Sequence, residues 1–306
     1  MKNKELIENS KVLFRIAGHP VEVVFLPGKD WRKMLPSFAP FKCWHADNEE
    51  PIFSMEAVNS LGYLNLASFR LLVESPEIIG TGFRLLETND RYIVDIQYVK
   101  GGAWHRMLTD KSFKSVKVHM RWGDPYVGNV LNAFIMIAFA QSAVVKKTVL
   151  VHASAVENND RGFAFLGRSG IGKSTHSALW IEYIKGTQLL NDDNPAIRVE
   201  DDGEVYIYGT PWSGKKPCYR NARVPLAALV RLEQASENCV FRHSDAKALM
   251  LLLPSCSSMR WNDALYTTLC DVLEIIIDRV SVFSLACLPC AEAALLCYDE
   301  INKKSI

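Results

Sequence analysis

The stretch from Gly162 to Ile184 constrains the fold more than any other part of the chain. It reads as a short apolar run (GFAFL), a glycine-rich run (Gly167-Arg168-Ser169-Gly170-Ile171-Gly172-Lys173-Ser174) and then KSTHSALWIEYI, with apolar Ala178, Leu179, Ile181 and Ile184 at helical spacing. The middle run fits G-x-x-x-x-G-K-[ST], a pattern that works only between a strand and a helix. Each part has a physical task. Glycines let the backbone turn tightly and approach an anion. Successive N–H groups and the positive end of the helix then face that anion. The expectation is a P-loop in which Gly167, Arg168, Ser169, Gly170, Ile171, Gly172, Lys173, Ser174 and Thr175 hold the phosphates of ATP. Lys173 would reach the outer phosphates, and the Ser174 hydroxyl would ligate magnesium.

A second element strengthens this reading. Thr187 to Leu190 suits a strand and runs into Asn191-Asp192-Asp193, nineteen and twenty residues past Lys173 for the two acids. Paired beside the P-loop strand, it would bring both carboxylates to the phosphates. One can hold magnesium, and the other can take a proton from an attacking hydroxyl.

Around this centre the sequence predicts a mixed sheet. Thr148 to Val156 reads as one buried strand, Glu157 to Arg161 as a turn, and Gly162 to Leu166 as a second strand, close enough to form a hairpin. Ala196 to Val199 and Val205 to Tyr208 suggest another hairpin. The loop Tyr208 to Lys216 (YGTPWSGKK), with Arg220 and Arg223 after it, offers cations to a phosphate in transit. Upstream, Val21–Leu26, Gly82–Leu86, Tyr92–Tyr98 and Ser115–Trp122 read as strands, followed by an apolar helix from Asp124 to Val145. Gly123-Asp124-Pro125 interrupts regular structure, so two regions are expected: a β-rich part, 1–123, and a nucleotide-binding part, 124–306.

Composition narrows the partners. The 306 residues are 49 % hydrophobic and 23 % charged, ordinary for a globular chain, and the formal net charge of +1 gives no general pull toward nucleic acid or anionic membrane. Met1 to Arg15 lacks an uninterrupted apolar core, and Val130 to Val144 is short and carries Asn132, Gln141 and Ser142. A cytoplasmic protein is expected, with its eight cysteines as thiols. Cys287 and Cys290 form a C-x-x-C ahead of a helix, a redox-like spacing without further zinc ligands of matching pattern. Self-association is an option through the apolar run Leu249 to Leu253.

His152, the loop GRSGIGKS and the Asp192-Asp193 pair resemble the catalytic domain of HPr kinase/phosphorylase, related around its P-loop to phosphoenolpyruvate carboxykinase. The matching stretch runs from about Val149 to Arg198. The resemblance implies an α/β (α+β) mixed-sheet P-loop kinase domain of that type behind a β-rich N-terminal region. It implies that Lys173 and Ser174 hold nucleotide and magnesium, that Asp192 is the catalytic base, that Asp193 assists the metal, and that His152 sits by the γ-phosphate. The C-terminal signature by which that family recognises its carrier protein is not placed in this sequence. The implied activity is therefore that of a divergent member: transfer from ATP to a hydroxyl, a serine of a protein or peptide, or a small molecule. A small-metabolite kinase and a nucleotide sensor or weak ATPase are the competing readings. A switch GTPase is disfavoured because Asn191-Asp192-Asp193-Asn194 is not N-K-x-D.

Overall fold

The computed structural model describes residues 11–45, 49–75, 82–214 and 216–303. Lys215, one of the two lysines expected in the Tyr208–Lys216 loop, lies outside them. The chain forms two compact units. The first holds residues 1–143 and returns for Met259–Leu265; the second holds Val144–Ser258 and Tyr266–Ile306. The division falls at the last residue of the apolar helix, not at the Gly123-Asp124-Pro125 interruption.

In the first unit nine strands form one sheet. They are β1 (Lys11–Ile16), β2 (His19–Val24), β3 (Lys42–Cys43), β4 (Ser54–Ala57), β5 (Arg70–Ser75), β6 (Gly82–Glu87), β7 (Arg91–Gln97), β8 (Trp104–Asp110) and β9 (Ser115–His119), in the order β3-β1-β2-β4-β9-β8-β7-β6-β5. Alternation in β6 and β9 puts Phe83, Leu85, Val116 and Val118 inward. Phe14 packs edge-on against Trp31 of the short helix α1 (Trp31–Met34) and against Phe38. Helix α2 (Val127–Val144) is long and apolar enough to cross a membrane by composition. Val130, Leu131, Phe134, Ile135, Ala138 and Phe139 are nonetheless buried, as a core helix requires. A Cβ on Gly128 would lie 2.5 Å from the Met34 carbonyl oxygen, so only glycine permits that approach of α2.

The second unit is built on a second mixed sheet. Its strands are β10 (Thr148–Leu150), β11 (Ala153–Asn158), β12 (Arg161–Leu166), β13 (Gln188–Asp193), β14 (Ala196–Val199), β15 (Val205–Tyr208), β16 (Arg223–Gln234), β17 (Cys239–His243) and β18 (Ser281–Cys287). The main path is β10-β14-β15-β16-β12-β11-β13; β18 also pairs with β16, and β17 with β18. β11 and β12 form the expected hairpin, turning at Asn159 and Asp160, both with positive φ, as a two-residue hairpin turn demands. β14 and β15 form the other. Helices α3 (Lys173–Tyr183), α4 (Asp245–Leu252), α5 (Asp263–Arg279, in this unit from Tyr266) and α6 (Ala291–Asn302) complete the unit. A core of Phe163, Phe165, Val230, Leu285 and Cys297 closes around Trp180 of α3, which is fully buried.

One sequence expectation changes here. Thr148–Val156 is not one strand: it breaks at Val151 and His152. The Val151 N–H donates to the Pro195 carbonyl and the His152 N–H to that of Ser255, while Val151 bridges to Cys256. Chain from after α4 thus takes up hydrogen bonds that a continuous strand would use. The run Leu249–Leu253 turns partly inward, with Leu251 and Leu252 in the core and Met250 strongly exposed.

Candidate active site

Strand β12 delivers the chain into the glycine-rich loop, and α3 leaves it. Gly167, Gly170 and Gly172 have φ of +142°, +79° and +114°, values that side chains rarely adopt. Gly172 is the N-cap of α3, and no side chain caps it. The first helical bond, from His176 N–H to Gly172 O, leaves the preceding N–H groups without helical acceptors. Positions 170 and 172 have nothing within 4 Å of a notional Cβ, so the loop is open above them. These are the features of an anion cradle.

Lys173 turns back over this loop. Its Nζ donates to the carbonyls of Gly167 (3.1 Å) and Arg168 (3.3 Å) and lies 2.9 Å from His152 Nε2. On the far side of the ring, His152 Nδ1 is 3.0 Å from Asp193 Oδ1. An ammonium only donates, so Nε2 accepts and the ring proton belongs on Nδ1, facing the carboxylate. Lys173, His152 and Asp193 therefore form one hydrogen-bonded chain. The strand break described above lifts His152 into it; a His held on a continuous strand would be placed by that strand's register instead. Burial lowers the Lys173 pKa, against the opposing pull of Asp193 and Asp192.

Asp192 is held differently. Register pairs it with Ser154 across β11 and β13, and its Oδ1 accepts from Ser154 Oγ at 2.7 Å. Ser154 Oγ is 2.6 Å from Ser177 Oγ on α3, one turn beyond Ser174. Asp192 is buried, whereas the side chains of Asp193 and His152 are 36 % and 40 % exposed. Only the latter two are open to an incoming molecule as the site stands. Ser154 and Ser177 escaped sequence reasoning because only strand register and the facing helix turn bring them to the acid.

The loop after β15 belongs to this centre. Ser213 bridges to Asp193, and the Gly214 N–H donates to the Asp192 carbonyl at 2.9 Å. Asn191 Nδ2 reaches both oxygens of Thr210, and Thr210 Oγ1 donates to the Asn194 carbonyl. Thus the described residues of the loop bring main chain to the acid pair. Arg220 pairs with Glu157 and the Leu189 carbonyl, and Arg223 with Glu200 and Tyr208. Both guanidiniums are thus paired within the second unit's own chain rather than left free beside the glycine-rich loop. Arg168 and Ser169 are exposed on the loop, as are Ser174 and Thr175.

The residues present fit magnesium on a nucleotide. Among the described residues no three His, Cys, Asp or Glu side chains converge as a metal cage. Such a magnesium needs only one or two protein ligands beside phosphate oxygens and water, and Ser174 with an acid of the pair would supply them. In the C-x-x-C, burial pushes the Cys287 thiol up, and among the described residues no disulfide joins any cysteines.

No family model and no curated protein matches this chain. Among solved structures, the HPr(Ser) kinase/phosphatase from Coxiella burnetii is similar to it, with 15 % identity and a TM-score of 0.29 over 49 % of this chain and 91 % of that one. A likeness at that level assigns no role to any residue, and the chemical reading rests on the geometry of the site.

Proposed function

We propose that the second unit binds ATP with magnesium at Gly167–Thr175 and transfers the γ-phosphate to a hydroxyl, a serine of a protein or peptide or a small molecule. The observation that carries this reading is the convergence of Lys173, His152, Asp192 and Asp193 beside an uncapped, glycine-lined helix start. Lys173 would leave its loop carbonyls for the phosphates. Magnesium would supply charge neutralisation at the bridging oxygens. The acceptor oxygen attacks phosphorus, the bond to the leaving ADP oxygen breaks, and the hydroxyl proton passes to a carboxylate. Asp192 is the first choice for that carboxylate, with its Ser154 bond fixing the orientation. The exposure of His152 and Asp193 favours a second assignment, in which that pair takes the proton.

The test is transfer of label from γ-labelled ATP in an extract of the cells that make the protein, wild type against Asp192→Asn. A labelled polypeptide or metabolite formed by the wild type and not by the variant supports a kinase with Asp192 as base. Label appearing equally with both moves the proton to His152–Asp193. Release of free phosphate alone by the wild type would replace the kinase with a hydrolase.

A further inference from the structure

The sheet of the second unit gathers strand ends along one edge. β12 runs parallel to β16, and β16 to β18. β12 and β13 each pair antiparallel with β11, so they share a direction. The ends of β18, β16, β12 and β13 therefore lie along that edge in this order. They carry Cys287, then Leu232-Glu233-Gln234, then the glycine-rich loop, then Asp192-Asp193. Ligands of open α/β sheets bind outside the carboxyl ends of strands. Here the loop has the acid pair on one side, and a cavity of about 230 Å³ on the other, between the loop, α3 and the turn after β18.

The lining of that cavity is specific in character. Ile171, Leu179, Leu232 and Pro289 give apolar walls, and exposed Glu233 and Gln234 add polar groups. Thr175 belongs both to the lining and to the first turn of α3. The volume is below the roughly 300–1,000 Å³ of pockets that enclose a whole drug-sized ligand. It suits one flat end of a nucleotide whose charged end lies elsewhere.

We propose that this cavity takes the base of a nucleoside triphosphate whose phosphates lie on the Gly167–Thr175 loop. The inference rests on the phosphate-binding reading of that loop. It adds a direction: the base points toward Cys287 and Pro289, and the terminal phosphate toward Asp192 and Asp193. The acceptor then enters from the His152–Asp193 side, away from the base.

Calorimetry in magnesium buffer with inorganic tripolyphosphate and with ATP tests this on the full chain. ATP is expected to bind roughly tenfold or more tightly than tripolyphosphate, because apolar walls reward the base alone. Leu179→Trp, which fills the cavity, should bring ATP to within about threefold of tripolyphosphate and leave tripolyphosphate unchanged. If a thermal melt shows that this variant does not fold, Leu288→Ala on the exposed cavity turn gives the same comparison. It should weaken ATP by about threefold without touching tripolyphosphate. Equal wild-type affinity for the two ligands, or cavity variants that leave ATP binding unchanged, would overturn the base site while the phosphate loop stands. Binding of neither ligand would overturn the phosphate loop, and the base site with it.

Discussion

Replacing Lys173 by alanine should weaken binding of ATP with magnesium by roughly 10- to 150-fold, the equivalent of about 1.5–3 kcal/mol for a charge-assisted hydrogen bond. The free protein moderates that figure. Its Nζ already holds two carbonyls and His152, and must give up some of these contacts to meet a phosphate. The lower half of the range is therefore expected. Calorimetry across pH adds a signature that a mere loss of folding would not produce. Burial lowers the Lys173 pKa from its ordinary 10.5. As pH rises through that lowered value the ammonium is lost, and wild-type affinity should fall at a less alkaline pH than an ordinary lysine would give. Stability moves the other way. Between the lowered value and 10.5 the unfolded chain binds the proton that the folded chain has released, so this group makes the ligand-free protein more stable as pH rises. Lys173→Ala should abolish both trends. Unchanged affinity in the variant would refute the assignment of the loop.

Other perturbations probe the scaffold under the site. His176 is buried against Phe165 and accepts from Trp180 Nε1, and burial pushes its pKa down to about 4. As pH falls from about 6.5 toward 4 the unfolded chain takes up a proton that the folded chain refuses. The second unit should lose about 3 kcal/mol across that window from this group; denaturant melts of wild type and His176→Gln at pH 7 and pH 4 measure it, and parallel pH dependence would contradict it. Gly214→Ala places a Cβ 2.7 Å from the Asp192 carbonyl oxygen. That crowding should cost roughly 1–3 kcal/mol and slow transfer by shifting the acid pair, which a thermal melt and a turnover assay would register together.

Local chemistry made part of this site readable in the sequence, and distant chain hid the rest. β12, the loop and α3 follow one another without interruption, so strand, glycines and helix announce themselves in order. The Asp pair was legible for the same reason, at the end of the next apolar run. The break at His152 was not, because it is imposed by Ser255 and Cys256, a hundred residues further on. Arg220 and Arg223 looked available because a sequence does not reveal that Glu157 and Glu200 face them. The loop from Tyr208 to Lys216 stands out for its Gly, its aromatic and its two Lys, but what Ser213 and Gly214 contribute is main-chain pairing, which side-chain identity cannot announce. Gly209 illustrates the point: a Cβ there would sit 2.0 Å from the Arg220 carbonyl oxygen, a constraint visible only once both segments are in place.

His152 is where binding and transfer should come apart. Its Nε2 steadies the Lys173 ammonium, and its Nδ1 points the ring proton at Asp193. With a phosphate on the loop, Lys173 would turn to that stronger partner and release Nε2 as an acceptor. On the second assignment the ring would then take a proton from the attacking hydroxyl while Asp193 stabilises the resulting charge. His152→Ala removes that path but leaves the loop, Lys173 and Ser174 in place. ATP affinity should change by less than about threefold, since the ring makes a contact that Lys173 gives up on binding anyway. If that pair takes the proton, the transfer rate should fall by roughly 10²-fold or more, the usual contribution of a positioned acid or base. Retained ATP affinity beside a lost transfer rate separates this from simple disorder, which would weaken both. A variant that transfers at the wild-type rate would return the proton to Asp192, whose buried bond to Ser154 would then have to open during each turnover.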